Sequence, residues 1–348
     1  MKNRKMKKII TFAGRNISLV NIIYFLIFML LGALALWYCF RSINFDEFIA
    51  TLKSVNYWYI GLSIVFGFIA FIIRALRWNI LINTLGHKPT VYDTYNAVVI
   101  GYIANLAIPR IGEIARCATL YRTNRIPVNS LFGTVVTERI IDMLSLFVIM
   151  FMVFFIKMDM FSTFVRERII LPWKPVFENL SVVWVLLIAF AVIILAVAAW
   201  IIFKRALRKP SMQRFRKMLS GLLDGLKSVL RMEKKFGFTA YTVAIWACYW
   251  LNSYLVMKSL PSTSSLTAAD GLLLMVLGSL GWIVPVPGGF GTFHTLIAWG
   301  LMMYGLEWDD GVIFATLSHE SQLLVMVFFG LIALISVSLT KNKLNQKC

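Results

Sequence analysis

Two apolar stretches, one in each half of this chain, break at proline and glycine partway through what would otherwise be a membrane pass. The first reads NAVVIGYIANLAIPRIGEIAR over residues 96–116, and the second DGLLLMVLGSLGWIVPVPGGFGTFH over residues 270–294. Lipid cannot satisfy the backbone groups freed at such breaks, so non-helical segments at membrane depth must be buried in protein or line a wet cavity. Paired interruptions at corresponding positions mark an inverted-repeat transporter with its site at the breaks.

The composition requires a membrane. Hydrophobic residues make up 59% of 348 and mean hydropathy is +0.78, against about 45–50% apolar residues in soluble domains. The formal net charge of +19 could suggest nucleic acid. The basic residues instead gather in short loops beside apolar spans, as cytoplasmic flanks do, so no nucleic-acid partner is expected. Cys39, Cys117, Cys248 and Cys348 have neither a disulfide framework nor metal-like spacing and read as inert thiols. The first apolar run, Asn21 to Phe40, follows MKNRKMKK without a small-residue cleavage site. It reads as an uncleaved span rather than a signal peptide.

Full spans are expected over residues 20–40, 57–81, 130–156, 181–203, 237–258 and 312–339, each close to or above the ~20 residues that cross a ~30 Å core. Charge fixes the rest of the topology. The N-terminal residues 1–19 carry six basic residues, and residues 204–236 carry eleven against Asp224 and Glu233. Both segments are therefore expected to be cytoplasmic. Four full spans link them, so the first broken segment can add no net crossing. The same parity brings the tail, residues 340–348, back inside only if residues 270–304 enter and leave on one side. This arrangement places 27 basic residues in cytoplasmic segments and seven outside. Each half, 20–156 and 181–339, then reads span, span, re-entrant hairpin, span, in opposite orientations.

Several polar residues lie where the membrane penalises them. Arg74 and Arg77, followed by Trp78, share a helical face and suit either a snorkelling belt or a bidentate hold on phosphate. The first hairpin tip holds Asn105, Pro109, Arg110, Gly112 and Glu113, with Arg116 one turn on. Proline breaks the entering arm, glycine permits the turn, and the returning helix N-terminus favours an anion. The third span opens Thr137-Glu138-Arg139-Ile140-Ile141-Asp142. The 14 uncharged residues from Met143 to Ile156 cover only about 21 Å at 1.5 Å each, so the core reaches down to that charged turn. Facing lipid would cost roughly 3 kcal/mol per charge. Glu138 and Asp142 are therefore expected to face protein or a cavity, paired with Arg74, Arg77, Arg110 or Arg116, either as a structural network or as proton carriers.

The second tip reads Pro285-Val286-Pro287-Gly288-Gly289-Phe290-Gly291, with His294 just beyond. Its GGxG lacks the Lys-Ser/Thr of a Walker loop, so the glycines are expected to let backbone approach backbone. His319 and Glu320 in the last span could join His294 in an outer proton or headgroup site. No pair has HExxH-type spacing, so neither a metal nor a cofactor is expected. Residues 204–236 read as a basic amphipathic segment lying on anionic lipid.

The succession RALRW, then N-x-x-x-P-R-x-G-E-x-x-R from Asn105, then ERIID, then PVPGGFG resembles the lysylphosphatidylglycerol synthase transmembrane-region family, the flippase-like membrane proteins. The likeness covers roughly residues 20–335. It implies lipid translocation. Members that transfer aminoacyl groups carry an added soluble synthetase domain, which is not expected here because the chain ends eight residues after Thr340. Many relatives place Glu where His294 stands.

The expectation is thus an all-α integral protein of the cytoplasmic (inner) membrane, with both termini cytoplasmic. It has six full transmembrane helices and two re-entrant hairpins in an inverted-topology repeat, and residues 20–339 form a single transmembrane domain. It is not expected to be an enzyme. Its substrate would be an anionic or modified phospholipid, or a lipid-linked headgroup, and an oligomer is left open. Arg74, Arg77, Asn105, Arg110, Glu113, Arg116, Glu138, Arg139 and Asp142 would form the inner site. Pro287, Gly288, Gly289, Gly291, His294, His319 and Glu320 would form the outer one. The alternative is a non-transporting scaffold for envelope enzymes.

Overall fold

The computed structural model describes residues 9–12, 15–41, 43–166, 171 and 234–345. It divides into two compact units, residues 1–150 with 234–348, and residues 151–233. The expected span 181–203 and nearly all of the basic segment 204–236 lie outside the described residues.

A short antiparallel hairpin, β1 (Ile9–Phe12) and β2 (Arg15–Ser18), precedes the helices. The first unit then runs α1 (Leu19–Phe40), α2 (Phe45–Ser54), α3 (Tyr57–Asn83), α4 (Val91–Ala107), α5 (Gly112–Asn124) and the larger part of α6 (Val128–Ile156). It resumes with α8 (Lys235–Ser259), α9 (Ala268–Ile283), α10 (Thr292–Met302) and α11 (Trp308–Asn345). In the second unit the end of α6 and α7 (Met158–Val165) are joined by Phe154 packing on Phe161, ring centroids 5.5 Å apart.

Three helices among the described residues are long and apolar enough to cross a membrane: α3, α6 and residues Trp308–Leu339 of α11. Only 17–33% of their most apolar windows is buried. The outward stripes, Phe147, Val148 and Phe151 on α6 and Leu324, Phe328 and Ile335 on α11, are exposed and belong against lipid, since water would penalise patches of this size. The chain is an all-α integral membrane protein but for the β1–β2 hairpin. Helix α8 is 25 residues long, enough length for a crossing, but it is not among the clear apolar spans. Its Trp, Tyr, Thr, Asn and Ser content lowers its mean hydropathy.

Sequence reading passed over α2. Asn44 caps it by accepting from the Asp46 amide at 3.1 Å, acidic Asp46 and Glu47 occupy its first turn, and Lys53 its last, all favourable to the helix dipole. It meets the preceding helix at 84°, and its Phe48 and Leu52 pack on a core of Val55, Ile60, Val256, Leu274, Phe293, Ile297 and Phe314.

Both broken segments are helical hairpins closed by small residues. In the first, α4 and α5 press together at Gly101 and Gly112: a Cβ on Gly112 would lie 2.1 Å from the Gly101 carbonyl oxygen. In the second, a Cβ on Gly281 would lie 2.6 Å from Phe293 Cα. The second tip is a 3-10 turn, Pro287–Gly289, in which Gly288 and Gly289 have positive φ, as does Gly291 at the cap of α10. Such backbone is open to glycine at little cost. Gly291 is also wedged against α1, where a Cβ would meet Leu36 N at 2.6 Å. The two tips approach each other, for a Cβ on Gly288 would touch Leu106 Cδ2 at 3.6 Å. Helices α3 and α8 pack along each other between the hairpins, and α4 packs on α11.

A buried arginine–carboxylate cluster beside the first hairpin

Glu138 sits at the centre of the cluster beside the first hairpin, with no exposed surface. Helix α6 carries it inward because Trp78 of α3 donates to Thr134 Oγ1 at 2.8 Å one turn earlier, which fixes the rotation of α6. Glu138 Oε1 accepts from Arg74 Nη1 at 2.8 Å and from Arg77 Nη2 at 3.0 Å. One turn on, Asp142 Oδ2 accepts from Arg74 Nη1 at 2.9 Å, and its Oδ1 lies 2.7 Å from Arg77 Nη2. The two arginines on one face of α3 thus clamp two carboxylates on one face of α6. Helix α8 completes the clamp: Tyr249 Oη accepts from Arg74 Nη2 at 2.9 Å and Thr242 Oγ1 from Arg77 Nη1 at 3.3 Å.

Arg116 of α5 is held differently. Its Nη1 lies 2.9 Å from Glu138 Oε2, an ion-pair contact without the direction of a hydrogen bond. Its guanidinium stacks over Trp78 at 4.5 Å. Its Nε and Nη2 are buried with no hydrogen-bond partner among the described residues. A narrow cleft opens there, lined by Gly101, Tyr102, Asn105, Gly112, Glu113, Arg116 and Arg139. Asn105 faces the turn and accepts from the Gly112 amide at 2.7 Å. At the rim Arg139 Nε lies 3.5 Å from Glu113 Oε1. Across these groups four arginines (74, 77, 116 and 139) face three carboxylates (113, 138 and 142), leaving one positive charge in excess. Burying that excess is costly unless an anion answers it.

Arg110 does not join the cluster. It is exposed at the tip, where its backbone is left-handed, φ 65°. Sequence reading could not separate Arg110 from Arg116, because both flank the same turn. Tyr249 and Thr242 were missed altogether. Their only sequence signal was polar side chains inside an otherwise apolar helix.

The polar residues around the second hairpin tip also come together. His294 of α10, His319 and Glu320 of α11 offer ligand atoms within 4.8 Å of one another. His319 Nε2 donates to the Gly288 carbonyl at 2.7 Å, and its Nδ1 lies 3.1 Å from Glu320 Oε1. Trp282 stacks on the His319 ring, centroids 5.1 Å apart. Pro287, Gly288 and Gly289 form the turn that supplies the Gly288 carbonyl, and Gly291 caps α10.

Two helical hairpins whose tips approach each other, set beside a buried ion cluster among lipid-facing helices, define a polytopic membrane protein with a polar interior. Residues 21–330 match the family model for the lysylphosphatidylglycerol synthase TM region. The chain belongs to that family. It is also similar to the UPF0104 membrane protein MJ1595 of Methanocaldococcus jannaschii, 23% identical over 317 residues that cover 88% of this chain and 91% of that protein. No solved structure matches.

Proposed function

We propose that this protein is a flippase-like carrier that moves an anionic or modified phospholipid, or a lipid-linked headgroup, across the cytoplasmic membrane. The observation that carries the reading is the free edge of Arg116. A buried guanidinium with two nitrogens unpartnered among the described residues, beside a cleft, is matched to a phosphate, which it can hold with two parallel hydrogen bonds. Arg116 is also the arginine whose hold on Glu138 lacks hydrogen-bond alignment, so a headgroup phosphate displaces least by engaging it. Arg74 and Arg77 keep Glu138 and Asp142 neutralised meanwhile, so no bare carboxylate repels the lipid.

In this reading both hairpins are re-entrant and the halves form an inverted repeat of six full spans, with both termini cytoplasmic. The cluster binds and releases a charged headgroup without making or breaking a covalent bond, which is the work of a carrier and not of an enzyme. The test is reconstitution of the purified protein in liposomes with labelled lipids. Translocation that falls at least about tenfold in Arg116→Ala and stays within twofold in Arg110→Ala supports the reading. Rates equal to protein-free vesicles across several anionic lipids overturn it and favour a scaffold.

A further inference from the structure

We infer that His294, His319 and Glu320 form a binding site for one divalent transition-metal ion of the zinc class, clamping the second hairpin to α11. The inference is independent of lipid transport. It starts from the tautomer of His319. A backbone carbonyl can only accept, so the 2.7 Å bond to Gly288 O puts the hydrogen on Nε2 and, in the neutral ring, leaves a lone pair on Nδ1. That lone pair faces Glu320 Oε1 at 3.1 Å. Two acceptors at that distance repel unless a cation lies between them.

The His319–Glu320 separation suits two ligands of one metal, and the third ligand atom lies within 4.8 Å of them. Bonds of about 2.0–2.1 Å at tetrahedral angles place neighbouring ligand atoms a little over 3 Å apart. A metal-bound histidine commonly donates its other ring N–H to a carbonyl, which fixes ring and tautomer, and Gly288 does this here. The third ligand is His294, 1% exposed, whose Nδ1 has no hydrogen-bond partner among the described residues. Its ring centroid lies 5.0 Å from that of His319. Glu320, with 46% of its side chain exposed, gives the ion a way in. Three protein ligands leave one tetrahedral position for water or another oxygen ligand. Motif spacing could not show this site, because its histidines lie 25 residues apart on two successive helices, and only the way α10 folds back on α11 brings them together.

The rival is a proton: an imidazolium at His319 paired with Glu320 and no metal. The two are told apart on the full-length, tag-free protein in detergent, stripped with chelator and then equilibrated with Zn²⁺ or Co²⁺ alone. The expected result is one ion retained per chain, with the visible absorption of tetrahedral cobalt. Glu320→Gln and His294→Ala should each weaken retention about 10-fold or more, and His87→Ala should leave it unchanged. Because Glu320 is half exposed, its variant should fold even where the His294 variant does not. Retention below one ion per chain, an octahedral cobalt spectrum, or equal retention in Glu320→Gln and the parent overturns the metal site and leaves the proton.

Discussion

The Gly112 amide donates to Asn105 Oδ1 at 2.7 Å, so the side chain that ends one arm of the first hairpin caps the start of the other. Ile111, at the cap position itself, makes no side-chain bond, and Asn105 answers one of the N–H groups that a helix start leaves open. The hairpin is therefore pinned from within, just where Arg116 begins its climb to Glu138.

Gly112→Val should open this hairpin. Its Cβ would sit 2.1 Å from a backbone oxygen and 2.6 Å from Asn105 Cγ, and overpacking of this kind costs about 1–3 kcal/mol or more. Gly61→Ala, where an added Cβ meets nothing within 4 Å, should be neutral or stabilising by up to about 1 kcal/mol. Thermal unfolding in detergent compares the two.

Glu138→Gln removes the charge shared by Arg74, Arg77 and Arg116. Breaking a buried ion network on one side costs about 3–5 kcal/mol, so a large fall in the unfolding midpoint is expected. Adding Arg77→Met in the same chain should recover part of the loss; a midpoint that falls further would show that the charges do not act on one another.

Arg110→Gly relieves a left-handed residue at φ 65°. The expected gain is about 1 kcal/mol, read as a raised midpoint with unchanged lipid movement. A lowered midpoint would mean that the Arg110 side chain has a partner in the membrane.

Positions 88 and 122 flank the first hairpin, and Lys88 and Arg122 are both exposed. Cysteines placed there should react with an impermeant thiol reagent from the same side of sealed vesicles. Labelling from opposite sides would make the α4–α5 segment a crossing and end the inverted-repeat reading.

Much of this was legible in the residues. The charged turn of α6 announced itself because too few apolar residues follow it to span a bilayer, and the proline–glycine breaks announced the hairpins. Two things were hidden and a third was overlooked. The choice of Arg116 over Arg110 depends on which of the two is buried when α5 packs on α4, which no spacing rule marks. The approach of His294 to His319 depends on how α10 lies on α11. Helix α2 had a readable signal, an Asn cap with acidic first turn and Lys53 near its end, but its length is too short to register in a count of spans.

The clamp on α3 bears on how the chain is made. Arg74 is translated 64 residues ahead of Glu138, which is about 3–13 s at 5–20 residues per second. During that interval two guanidiniums sit on a nascent helix with no carboxylate to meet them, at about 2.5–3.5 kcal/mol apiece if they enter the lipid midplane. The apolar run ahead of them is enough for α3 to cross alone, so the clamp closes as a later step, when α6 emerges and packs against a helix already in place.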